Sequence, residues 1–453
     1  MTDTDSARPA IPSLAQRLAA GKAERRRTPR HDLARLTTAG RAPLGILEEQ
    51  ESTRVQQVLP LRAERMAASP FAFYRGTAAI MAADLARDAS TGISVGSCGD
   101  AHLANFGFSA SPQRTLLFDL NDFDEAAWAP WEWDVKRLVT SIVVAGRATG
   151  RKDEVVETAA RSAVDAYSRR LARAARKSPL ERYWTHFDAK ASVHAIEKSS
   201  RDVLLGAVRS ARKRTGEQAV RRMTERGPDG RLRFIIRPPA MFHLDAALEA
   251  EAEARLRAYA RTANVDIQML LLHYSASDTA FRAVGVGSVG TRCYLTVLED
   301  GDGHALLLQT KEAQESVLIR YGRAVQPAAA LEHIERHGEG GRVVGMQRVL
   351  QAISDPFLGH SKDDHGAYYV RQFRDMKGGI DAEALADEPF RRFGEACAIT
   401  LARAHGQTAD AGRVVGYIGN GRIVADAIVA WANAYADVSY GDWKAFVAKK
   451  KAG

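Results

Sequence analysis

The stretch that most constrains the fold is "DTAFRAVGVGSVGTRCYLTVLEDGDGHALLLQTKEA", residues 278–313. Apolar, β-branched and aromatic residues flank "GVGSVGT" on both sides, which predicts strand, glycine-rich turn and strand. "EDGDGH" (Glu299 to His304) then predicts a hairpin turn into a third strand that ends near Lys311. Gly285, Gly287 and Gly290 give the spacing G-x-G-x-x-G, with Ser288 inside it. By itself that spacing is weak evidence. The dinucleotide-binding version must open a helix, and here "TRCYLTVL" follows, a strand sequence.

A glycine loop between two strands, with a lysine closing the third, is the phosphate-binding arrangement of kinases. The glycines let the backbone close over phosphate groups, and Lys311 is placed to bind α- and β-phosphate oxygens. The alternative for Lys311 is an ordinary exposed strand-end lysine.

A second cluster lies far upstream. "CGDAHLANFG" (Cys98 to Gly107) holds Asp100, His102 and Asn105, and "DLNDFDE" follows with Asp119, Asp122 and Asp124. Asp and Asn five residues apart match the kinase catalytic loop, where the Asp accepts the substrate hydroxyl proton and the Asn binds Mg²⁺. The next strand end must then bring a charged metal ligand, and Mg²⁺ prefers such hard oxygen donors. Asp122 is the preferred ligand: Phe123 follows it, and it lies twelve residues before Asp134. Asp124 and Asp119 are the reserves. His102 is read as holding the loop by hydrogen bonds, with proton transfer as its alternative role. The alternative for the whole motif is a polar turn with capped carboxylates.

Composition sets broad limits. The chain has 453 residues, net charge +9 and three cysteines, Cys98, Cys293 and Cys397, without zinc or disulfide spacing. No run long enough to span a membrane and no apolar signal core is visible, so a cytoplasmic protein is expected. The basic stretches at Lys22–His31 and Arg209–Arg233 lack interleaved aromatics, so nucleic acid is not the expected partner.

The blocks "PFAFYRG", "GDAHLANFG", "FDLNDFDE", "WEWDVKRL", "VGVGSVGTRCY", "QTKEA", "YYVRQFRDMKG" and "LARAHGQTAD" together resemble an uncharacterised bacterial family, domain of unknown function 2252. They span roughly residues 45 to 445. The resemblance implies the protein-kinase-like superfamily, near the aminoglycoside phosphotransferases. The implied fold is α+β and two-lobed, and circularly permuted, since the catalytic loop precedes the glycine loop. The expected division is a basic N-terminal arm (1–45), a helical lobe with the catalytic and metal loops (46–275), a β-rich nucleotide lobe with "YYVRQFRD" as hinge (276–380) and C-terminal helices packing on the helical lobe (381–453).

The implied function is an ATP- and Mg²⁺-dependent phosphotransferase acting on an unidentified hydroxyl-bearing small molecule or protein. Asp100 and His102 form the catalytic set. Gly285, Gly287, Ser288, Gly290 and Lys311 hold the nucleotide, and Asn105, Asp122 and Asp124 the metal. The alternatives are a nucleotide-binding pseudokinase, an AMP transferase and a metal-dependent phosphohydrolase. The helix glutamate that should pair with Lys311 is not identifiable. Glu315, Glu332 and Glu335 are possible partners, and Gln347 offers a neutral one.

Overall fold

The computed structural model describes residues 11–185, 197–373 and 376–452. The helical expectation for residues 190–196, and Arg374 and Asp375 of the hinge segment, lie outside them. The fold is mixed α+β. Among the described residues, six strands make one antiparallel sheet. From edge to edge they are Gly359–Asp363, Gly366–Gln372, Ala305–Ala313, Cys293–Glu299, Ser275–Arg282 and Met241–His243. The strand Cys293–Glu299 is buried along its whole length, consistent with its near-continuous apolar sequence.

The strands on either side of "GVGSVGT" pair directly, with Phe281 opposite Tyr294. The turn between them has Gly285 and Gly290 at φ +69° and +94°. The hairpin at Glu299 joins the next pair, in which Lys311 faces Cys293 across the ladder.

A helix, Ala328–Leu350, links the strand carrying Lys311 to the edge strand Gly359–Asp363. It is kinked at Gly338. Beyond the kink it runs so close to the sheet that a Cβ on Gly340 would sit 2.1 Å from the Tyr368 carbonyl oxygen.

The sheet begins earlier than the boundary expected near residue 275. Leu232, Phe234 and Met241 share a core with Ala280 and Leu295, and Tyr259 packs with Leu298 and Leu308. Residues from about Ala219 onward therefore belong with the sheet.

The remainder is helical. Trp131–Ala148, Asp153–Ala175, Asp387–His405 and Arg422–Ala452 pack around one apolar core. Trp131 is fully buried there and stacks on Tyr167. The N-terminal segment, expected to be a partly ordered arm, carries a helix, Leu14–Glu24, that docks on Ala411–Ile418. Arg25 donates to the carbonyls of Tyr417 and Gly416 at 2.9 and 2.6 Å. Arg41 binds Asp84 and Asp442 at 2.8 and 2.6 Å. No helix among the described residues is long and apolar enough to cross a membrane.

Two small sheets aim the polar loops. Ser94–Ser97 pairs with Ala127–Pro130, and Phe106–Ala110 pairs with Leu116–Leu120. The loop with Asp100 joins the first sheet to the second, and the loop with Asp122 joins the second back to the first. Both loops therefore leave the same edge.

Candidate functional site

Asp134, in the first turn of Trp131–Ala148, holds the Asp100 loop by its backbone. Its carboxylate accepts the N–H groups of Cys98 and Gly99 at 2.8 and 3.1 Å. His405 Nε2 lies 3.1 Å from the same carboxylate, and Tyr167 Oη lies 2.8 Å from His405 Nδ1. With the His405 proton on Nε2 and the tyrosine donating to Nδ1, every member of this buried chain is satisfied.

Gly99 has φ +79°, and a Cβ there would lie 2.2 Å from the Glu125 carbonyl oxygen. Any side chain at 99 would separate the two loops, so glycine is required by both conformation and space. Cys98 is buried and its thiol is pushed well up by burial, in keeping with a packing role.

One helical turn beyond Asp134, Arg137 fixes the Asp100 side chain. Its Nε and its terminal nitrogen lie 2.8 and 2.7 Å from Oδ1. Burial raises the Asp100 carboxyl above the ordinary range, against the pull of Arg137. That makes Asp100 a stronger base than a solvated aspartate. Its Oδ2 is 3.6 Å from His102 Nε2.

His102 is buried, and burial together with Arg137 and Arg75 holds it neutral, well below the usual imidazole range. Its backbone carbonyl accepts from Asn105, and the N–H of neighbouring Leu103 donates to Ser141 Oγ. These bonds are made by the backbone around His102; its side-chain Nδ1 is buried without a hydrogen-bond partner. Asn105 commits Nδ2 to the Asp100 carbonyl at 2.9 Å, which leaves its Oδ1 without that obligation.

The three carboxylates of "DLNDFDE" separate cleanly. Asp119 is buried and structural, accepting from the N–H groups of Leu120 and Ala352 at 2.9 and 2.8 Å. Asp124 pairs with Lys311 and receives the Tyr369 hydroxyl, and Ser288 Oγ lies 3.4 Å away. Burial would raise the Asp124 carboxyl, but Lys311 outweighs it and holds it low. Asp122 remains, 4.0 Å from Lys311 and one-third exposed. Burial, then the Asp124 charge, pushes its carboxyl up. Asp122 carries a carboxylate and Asn105 a carboxamide oxygen, both hard donor types, but of the two only Asp122 lines the cavity that Asp100 and Gly287 share.

Lys311 has a different partner from those expected. Glu332 and Glu335 are exposed, and Gln347 donates to Gln351 at 2.9 Å. The lysine bonds the loop aspartate instead. The kinked helix acts on that loop through Arg342, which donates to the carbonyls of Asp124 and Gln314 at 2.9 and 2.8 Å and also to Ala126. Arg137, Arg342 and Tyr369 were not apparent as site residues. For Arg137 a signal exists: its spacing of three from Asp134 places both on one helix face.

Asp100, Asp122, Asp124, Gly287 and Ser288 line one cavity of about 80 Å³. Gly285 lines a second, of about 690 Å³, with Asn121, Gln309, Arg371 and Phe373. The glycine-rich turn straddles both, while Gly290 packs outside against Arg54. Among the described residues, the cluster with tight metal-ligand spacing is elsewhere, at Asp300, Asp302 and His304 in the surface hairpin turn.

The family model for an uncharacterised protein conserved in bacteria (DUF2252) matches residues 54–449. The chain belongs to the DUF2252 family. No curated protein and no solved structure matches it. Membership in DUF2252 carries no activity with it, so the chemistry must be argued from the site.

Proposed function

We propose that this DUF2252 protein is an ATP- and Mg²⁺-dependent phosphotransferase with a circularly permuted kinase-like fold. The observation that carries the reading is the convergence of two half-sites on one cavity: Gly287 and Asp122 are 165 residues apart (287 − 122) and line the same space. The sheet supports it. Strand, glycine turn, strand, hairpin, lysine strand and helix follow in the order of a kinase nucleotide lobe.

In this reading the glycine turn and Lys311 hold the phosphates. The metal, held by Asp122 and Asn105, would neutralise charge on the phosphate oxygens. Asp100 accepts the proton of the acceptor hydroxyl as its oxygen attacks the γ-phosphorus. The bond to the β-phosphate oxygen breaks and ADP leaves. Catalysis is then positioning and charge stabilisation. Lys311 must exchange Asp124 for phosphate oxygens when the nucleotide enters.

That exchange is also the basis of a second reading. Lys311 is closed onto Asp124, and among the described residues it has no ion pair to a helix glutamate, as suits a nucleotide-binding regulatory module without turnover.

Incubation with γ-labelled ATP over a panel of hydroxylated metabolites and proteins tests the proposal. Label transfer is the expected result. Release of free phosphate alone points to a hydrolase, and labelling only from α-labelled ATP to an AMP transferase. ATP binding without either product points to the regulatory module.

A further inference from the structure

Arg75 has no part in the chemistry proposed above, yet it lines the cavity with Asp100, Gly287 and Ser288. It ends the helix Pro70–Arg75. Its carbonyl oxygen lies 3.2 Å from the position of a Cβ on Gly287, so its backbone abuts the tip of the glycine turn.

The other two arginines of this cavity are committed. Arg54 donates to the Val289 carbonyl at 2.5 Å, and Arg320 pairs with Glu49 at 2.6 Å. Asp100, the nearest carboxylate in charge terms, already holds Arg137. The Arg75 side chain has no hydrogen bond or ion pair among the described residues, and its Nε is buried without a partner. Burial lowers its affinity for its proton, with Asp100 resisting. Arg75 as a whole is half-buried, and a guanidinium whose Nε is shut away from water without a partner is costly to keep. Its planar fork matches phosphate oxygens.

We infer that Arg75 is the seat of a phosphate-type oxyanion, held between the tip of the glycine turn and Asp100. Binding of the anion stands on the geometry alone. Naming its source rests on the phosphotransferase reading: it is either the phosphoryl group being transferred or a phosphate carried by the acceptor.

The test is titration of the full-length protein with inorganic phosphate, followed by calorimetry, for wild type, Arg75→Gln and Arg75→Lys. The wild type should bind phosphate saturably. Arg75→Gln should lose about tenfold or more in affinity, the scale of a charged bidentate pair. Arg75→Lys should fall between. Equal affinity in wild type and Arg75→Gln overturns the inference.

Should the variants fail to fold, the wild type still decides. Phosphate must protect Arg75 from phenylglyoxal in peptide mapping by mass spectrometry, and modification unaffected by phosphate overturns the seat.

ATP and ADP identify the source. If Arg75→Gln weakens ATP but not ADP, the seat holds the transferred group. If neither changes, and phosphate binds to the ADP complex, it holds the acceptor's phosphate. If ATP does not bind to the wild type at all, the phosphotransferase reading fails while the phosphate result stands.

Discussion

At the scale of single residues, the site depends on a few buried charges with assigned tasks. Asp134 carries the largest structural burden, since two backbone N–H groups and His405 converge on it. Asp134→Ala leaves all three without a partner and should cost roughly 3 kcal/mol or more in urea unfolding. A loss under about 1 kcal/mol would show that water replaces the carboxylate without penalty. Glu125 gives a prediction in pH. Burial pushes its carboxyl up to about 7 from 4.5, even though Val317 N–H donates to it. Between those values the folded chain binds the proton that the unfolded chain has lost, so this group makes stability fall as pH rises through that window. Glu125→Gln is neutral throughout and should flatten the slope. An unchanged slope, measured by denaturant unfolding across the window, would place the titrating group elsewhere.

At the scale of elements, what was legible in the sequence was what lies in contiguous motifs. The glycine turn, the lysine strand, the Asp100 loop and the three carboxylates are short runs whose residue types point to one chemistry. The strand Phe106–Ala110 was hidden because "FGFSA" mixes glycine and serine with its aromatics. The edge strand Gly359–Asp363, "GHSKD", is polar because it forms one edge of the sheet. The partner of Lys311 was sought on a helix, following the common pattern, while tertiary packing supplied Asp124 from a loop 187 residues away.

The kinked helix acts through its close approach to the sheet, which gives a matched pair of variants. Gly340→Ala would drive a Cβ into the Tyr368 carbonyl, whereas Gly345→Ala meets only the His333 ring at 3.3 Å. Gly340→Ala should lower stability by roughly 1–3 kcal/mol, as overpacking does, and displace Arg342 from the Asp124 carbonyl. Gly345→Ala should be neutral or slightly stabilising, because alanine favours a helix. Thermal unfolding compares the two, and equal losses would contradict the close packing assigned to Gly340.

At the scale of the whole molecule, the proposed function would make the order of parts along the chain the reverse of that in an ordinary kinase. The loops that would act on the acceptor come first, and the sheet that would hold the nucleotide comes second. Arg25 and Arg41 tie the segment that follows Leu14 to the C-terminal helices, within the helical half. Its basic charge made that segment read as an arm; its packing depends on ion pairs and on carbonyls of a distant helix, which no local pattern reveals.

The central claim is that the two halves form one metal–nucleotide site. Calorimetric titration of ATP, with and without Mg²⁺, on wild type and Asp122→Asn tests it most directly. Mg²⁺ should strengthen ATP binding to the wild type, Asp122→Asn should abolish this gain, and binding of metal-free ATP should be unchanged. Absence of ATP binding to the wild type, or the full Mg²⁺ gain in Asp122→Asn, would contradict it.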